Sequence, residues 1–149
     1  MITIKAKCEV TKHHFICRVF NTKKEMYAYY IAYITNSKYD ERYGNFKRLS
    51  SQLNFSAICM PYEKLNFKKG KKPKRADDMG EILFYKGRLG TGIIAHEMGH
   101  AAMWWARLID KNTNAEFGPE IGNKEEKMLT VLYHLARNFT NRAYKLGVF

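Results

Sequence analysis

Cysteine, proline and acid are all scarce in this chain. Its 149 residues include three cysteines, Cys8, Cys17 and Cys59, too few and odd in number for a disulfide framework. That excludes a small secreted domain stapled by disulfides. Three prolines and ten glycines exclude collagen-like and low-complexity chains. No apolar run approaches the ~18 residues of a membrane span. The first residues, MITIKAKCEV, alternate polar with apolar, where a signal peptide carries an unbroken apolar run of roughly 7–15. These absences together predict a cytoplasmic, reduced chain with no membrane partner. A tight turn at Lys12-His13 would set Cys8 opposite Cys17 across a hairpin, and both are read as small buried hydrophobes.

Acid is short in one half only. Lys and Arg number 26 against 14 Asp and Glu, a net charge of +12. Residues 1–75 hold 17 basic and 5 acidic side chains, which is the whole excess, while residues 76–149 hold 9 of each. Six of the positive charges fall in residues 68–75, KKGKKPKR. Gly70 and Pro73 keep that segment out of a helix or a core strand. It is a candidate arm for nucleic acid or an acidic protein, or a solvated loop that steers an acidic substrate. No aromatic interrupts it, which argues against base stacking.

What is plentiful is apolar surface. Hydrophobic residues make up 46% and aromatics 14%, enough for one packed domain over residues 1–149 and incompatible with disorder. Residues 1–20 alternate with period two about a polar turn, the pattern of a hairpin. Thr22-x-x-Glu25 is a capping box that opens a helix to about residue 35; its four tyrosines are read as packing. Residues 55–62 and 81–86 read as strands. Thr91, as N-cap, opens a helix to about residue 108, and a last helix covers about 124–144. Strands and helices in that order predict an α+β fold.

One motif carries chemistry. His96-Glu97-Met98-Gly99-His100 is H-E-x-x-H on a predicted helix. Positions i and i+4 share a helix face, so both imidazoles can bind one ion at about 2.0–2.1 Å. Glu97, one residue on, cannot share that ion but can reach water beside it, as metal-assisted hydrolysis requires. A catalytic zinc takes three protein ligands and keeps one position open. Candidates for the third are Glu116, Glu120, Glu125, Glu126 and His134. An apolar stripe of Met128, Leu129, Leu132, Leu135, Ala136 and Phe139 favours Glu125, which shares its phase. Glu126 stays open as the alternative, and either acid also suits the helix dipole. Trp104 follows His100 by four residues and is read as core or as a wall of the site. Gly99 suggests a close backbone approach, since glycine inside a helix costs ~1 kcal/mol.

HEMGHA, a spacer of some two dozen residues and then EEKMLTVLYHLAR resemble the zincin superfamily in its compact gluzincin form, as in small metallopeptidase-like proteins of phages and mobile elements. The resemblance covers about residues 80–140. It implies a small zincin-like domain with a twisted, mostly antiparallel sheet, an active-site helix and a C-terminal helix. It also implies a zinc ion held by His96, His100 and a Glu of the last helix, with Glu97 as general base in the hydrolysis of a protein or peptide substrate. The strand before the active helix, residues 81–86, is implied to be a sheet edge that pairs with an extended peptide. Tyr133 and Tyr144 are the candidate oxyanion donors. Two other readings compete: a non-catalytic zinc-binding inhibitory or interaction protein, as in a phage factor directed at its host, and a nucleic-acid-binding module built on the basic half. An intact Glu97 favours the enzyme, because a structural zinc site has no use for that carboxylate.

Overall fold

The computed structural model describes residues 1–35, 53–61, 78–109 and 122–149. The basic segment 68–75 and the candidate ligands Glu116 and Glu120 lie outside the described residues. Alternating burial makes the arms of the first hairpin legible: β1 (Ile2–Lys7) and β2 (His14–Phe20) pair antiparallel, with Ile4 opposite Cys17 and Lys7 opposite His14. The turn comes earlier than Lys12-His13. Cys8 N–H donates to His13 O (2.9 Å), and Lys12 closes the loop at φ 67°. Cys8 therefore faces His13, and the expected Cys8–Cys17 juxtaposition does not occur; all three cysteines are free.

The chain then enters α1 (Lys23–Thr35) through the capping box. Thr22 Oγ1 accepts from Glu25 N–H (3.2 Å), while the Glu25 carboxylate accepts from the N–H groups of Thr22 (3.3 Å) and Asn21 (3.0 Å). Thr22→Ala removes one of these acceptors and is expected to cost about 1 kcal/mol, readable as a shift in the denaturation midpoint at unchanged slope. Strands β3 (Ala57–Pro61) and β4 (Asp78–Tyr85) complete the sheet. A 3-10 turn at Lys86–Arg88 leads to α2 (Thr91–Ile109), and α3 (Gly122–Lys145) follows. Ile94 N–H donates to Gly90 O (3.0 Å), so Gly90 rather than Thr91 is the N-cap of α2. At the far end, Gly147 takes φ +63° and α3 closes with Val148 N–H on Ala143 O and Gly147 N–H on Tyr144 O, both 3.0 Å. This is a Schellman cap, and it buries Val148.

The strand order is β1-β2-β4-β3; β2 and β4 run parallel and the other two pairs antiparallel. The architecture is α+β, with three α-helices among the described residues about a four-stranded, mostly antiparallel open sheet. It corrects one expectation directly. The strand before the active helix is not an edge: β4 lies between β2 and β3, and its residues Met79–Phe84 are buried. A strand buried on both of its faces belongs inside a sheet. The outer strand on that side, among the described residues, is β3.

One face of the sheet carries Ile4, Cys17, Ile82 and Phe84 against Ile94, Met98, Ala101, Val131, Leu135 and Phe139 of α2 and α3. The other carries Phe20, Met60 and Leu83 against Met26 and Tyr27 of α1. On α3 the buried stripe includes Val131 and leaves Leu129 exposed, so it is rotated from the one the sequence suggests. No described helix is long and apolar enough to cross a membrane.

Two contacts set how α2 and α3 lie. Trp105 Nε1–H donates to His13 Nδ1 (3.3 Å), and His134 Nδ1 is 3.9 Å from Glu9 Oε2. Both helices therefore reach the β1–β2 turn. The second half of α2 arrives there, and the middle of α3. Farther along α3, Asn138 Oδ1 accepts from Lys7 N–H (3.2 Å) and the Phe139 ring lies 5.0 Å from that of Phe84. The two helices consequently run in opposite directions over the sheet.

Candidate metal centre

Helix α2 places His96, Glu97 and His100 over the outer strand. Its inner face, Ile94, Met98, Ala101, Ala102 and Trp105, is buried in the core. That packing fixes the rotation of the helix and turns positions 96 and 100 outward together. His96 Nε2 and His100 Nε2 approach to 3.1 Å. Two nitrogens at about 2.0–2.1 Å from one tetrahedral ion stand ~3.3 Å apart, so the imidazoles already converge as a pair of metal ligands must. The same distance suits a hydrogen bond between one protonated and one bare nitrogen. Both residues are exposed, whereas Glu97 between them is buried.

Glu97 points at β3. The backbone N–H of Cys59 donates to its carboxylate, and burial raises the pKa of Glu97 above the ordinary carboxylate value, with the two imidazoles and the Cys59 hydrogen bond pulling it partly back. A carboxylate so placed is a stronger base than one in water, which is what proton abstraction near neutral pH requires. It also has a cost. A carboxyl whose folded pKa is raised binds more protons folded than unfolded, so stability falls as pH rises from the usual carboxylate range through the raised value. Metal-free protein is thus expected to lose stability over that window, and Glu97→Gln to flatten the curve and make the metal-free fold more stable at pH 7. Thermal denaturation of both proteins across pH, in the presence of chelator, measures it; parallel curves would contradict the assignment.

Cys59 follows from the same crowding. Burial, and after it the neighbouring Glu97 carboxylate, push its thiol up to about 12. Cys17, in register with Ile82 as Cys59 is, is also pushed up, chiefly by burial. At neutral pH both are protonated.

Around these groups lies a cleft of about 350 Å³, lined by Ala57–Cys59 and Pro61 of β3 and by His96, Glu97, His100, Met103, Trp104 and Arg107 of α2. Trp104 therefore walls the site while also packing on the core. Its Nε1 is buried and has no hydrogen-bond partner among the described residues. Since Cys59 N–H leaves the β3–β4 ladder for Glu97, strand alternation turns the backbone of 57, 59 and 61 toward the cleft. Pro61 is tolerated there because an outward position has no ladder bond to donate. At Gly99, an added Cβ would meet nothing described within 4 Å, so the close approach expected there is not seen among the described residues.

The structure does not bring Glu125 to the histidines. Among the described residues no group of three His, Cys, Asp or Glu side chains could hold an ion. Glu125 and Glu126 are exposed in the first turn of α3. The reason is the antiparallel packing. His134 and Trp105 meet at the hairpin turn, Glu125 lies a further ~14 Å of helix beyond His134, and His96 lies ~14 Å back from Trp105. These offsets add, and no Glu side chain spans them. His134 faces Glu9 instead. Tyr133 and Tyr144 are exposed and absent from the cleft lining; the Tyr133 hydroxyl accepts from Arg137 (3.4 Å).

Two lining residues escaped the sequence reading. Cys59 had no local signal, because only strand pairing carries it to Glu97. Arg107 did have one: it follows His96 by eleven residues and His100 by seven, close to whole helical turns. Comparison with protein-family models, with curated proteins and with solved structures gives no match to this chain in any of the three.

Proposed function

We propose that this protein is a zinc-dependent metallopeptidase that hydrolyses peptide bonds of a protein or peptide substrate. The observation that carries the reading is the buried Glu97 carboxylate beside two imidazole nitrogens that converge to 3.1 Å, in a cleft along an outer strand. A buried carboxylate needs a reason, since burial disfavours its charged form; a base for hydrolysis is one. His96 and His100, the two ligands that converge among the described residues, would hold the ion through Nε2. Zinc, when bound, supplies Lewis-acid polarisation of the scissile carbonyl and acidifies the attacking water. Glu97 accepts the proton of that water at its carboxylate and delivers it to the leaving amine nitrogen. The Cys59 N–H fixes the orientation of the carboxylate. The outward carbonyls of β3 align an extended substrate by backbone hydrogen bonds, and Met103 and Trp104 keep water off one side.

Metal analysis of the purified protein, together with cleavage of unfolded protein substrates, tests the reading. One zinc per chain is expected, and His96→Ala or His100→Ala is expected to lose both metal and cleavage. Wild-type protein that binds no divalent metal at micromolar concentration would remove the basis for the proposal.

A further inference from the structure

We propose that Arg107 is a specificity-determining residue that binds a carboxylate of the substrate about three residues from the bond to be cut. This rests on the peptidase reading above and names the substrate class of the same cleft. The cleft wall is otherwise apolar outside the metal centre: Ala57, Ile58, Pro61, Met103 and Trp104. Among the described residues Arg107 is its one cationic side chain apart from the histidines, and it is exposed. No described carboxylate forms an ion pair with it. An arginine on a cleft wall with no acid beside it among the described residues is set to take one from a ligand, because the guanidinium fork matches a carboxylate bidentately.

Spacing gives the position. Seven residues of helix separate Arg107 from His100, ~10 Å of axial rise, and an extended peptide covers that in about three residues at ~3.3 Å each. Direction follows from the sheet. Pro61 pairs with Gly80 at the start of β4, next to where β2 begins, and Trp105 reaches the turn before β2. β3 and α2 thus run the same way, and Arg107 stands at the Pro61 end of the cleft. A peptide antiparallel to β3 has its N-terminal part there, which puts the preferred acid on the N-terminal side of the cut. The net charge of +12 adds long-range attraction for an acidic chain, and Arg107 is where the cleft reads it.

The test measures binding, so it does not depend on turnover. Metal-loaded Glu97→Gln protein is titrated with blocked, alanine-rich octapeptides in which one Glu is moved along the chain, each paired with its Gln counterpart. A second set has a free C-terminal carboxylate and no Glu. One Glu position is expected to bind on the order of ten-fold more tightly than Gln. Arg107→Gln should abolish that preference, and Arg107→Glu should transfer it to Lys at the same position. A gain confined to the free C-terminal set and lost in Arg107→Gln would identify the carboxylate as a chain terminus. If no carboxylate improves binding, or the preference survives Arg107→Gln, the proposal is overturned. Cleavage and metal content of wild type are scored separately, so a protein that shows the Arg107-dependent preference without hydrolysing any peptide would overturn the peptidase reading alone.

Discussion

Replacing Glu97 by Gln is expected to leave the metal in place and to lower kcat/KM for peptide hydrolysis by about 10²–10⁴-fold, the usual worth of a general acid–base group. The amide keeps the size of the side chain and can still meet the Cys59 backbone, so α2 and the 3.1 Å convergence of His96 and His100 have no cause to change. What is lost is the buried carboxylate of the cleft, its only one among the described residues, and with it the atom that, in the proposed mechanism, accepts and returns the proton. Metal stoichiometry and turnover, measured on the same preparation, separate this from simple unfolding. Equal turnover in wild type and variant would show that the buried acid serves another purpose. Loss of metal in the variant would make Glu97 a ligand, against the helical spacing that places it one residue round from His96.

The second large effect lies on the other face of the sheet. Arg18→Met is expected to destabilise the fold by about 3 kcal/mol or more, because it strands a buried acid. Glu81 is buried in β4, and Arg18 grips it with two bonds, Nε to Oε2 at 2.8 Å and Nη2 to Oε1 at 2.7 Å. Tyr29 of α1 donates its hydroxyl to the same carboxylate at 2.7 Å, and the guanidinium lies 5.1 Å from the Tyr29 ring centre. The triad ties α1, β2 and β4 together. Removing the cation leaves the tyrosine hydroxyl to compensate a charge in a poorly solvated place. Arg18→Met with Glu81→Leu should recover much of the loss, since an apolar pair replaces a buried ion pair at little net cost. Urea denaturation reads both. A single variant within about 0.5 kcal/mol of wild type would mean that solvent reaches Glu81 and the triad adds little. The triad is remote from the cleft, so folded Arg18→Met should bind metal as wild type does.

Local rules were legible residue by residue. Period-two alternation marked β1 and β2, Thr22 and Glu25 marked the start of α1, and H-E-x-x-H placed two imidazoles on one face of α2. Each of these depends on neighbours within one or two turns of chain, where backbone geometry is fixed by local sterics. The apolar run at Ile82–Phe84 was legible too, but as apolar content and not as a position in the sheet. An apolar stretch says that both faces are covered; which strands flank it depends on pairings between residues far apart.

The same divide runs through the site. His96, Glu97 and His100 were determined by sequence alone, because helical spacing is enough to align them. The basic excess was likewise a matter of counting. Tertiary structure decided the rest. It put β3 rather than β4 at the margin of the cleft, brought Cys59 N–H to Glu97, and set Arg107 at the Pro61 end. It also carried Glu125 away from the histidines, since periodicity gives the face on which a side chain lies but not how far one helix slides along another. That offset is set by how Trp105, Val131, Leu135 and Phe139 pack on the sheet, a property of the assembled core that no single stretch of sequence contains.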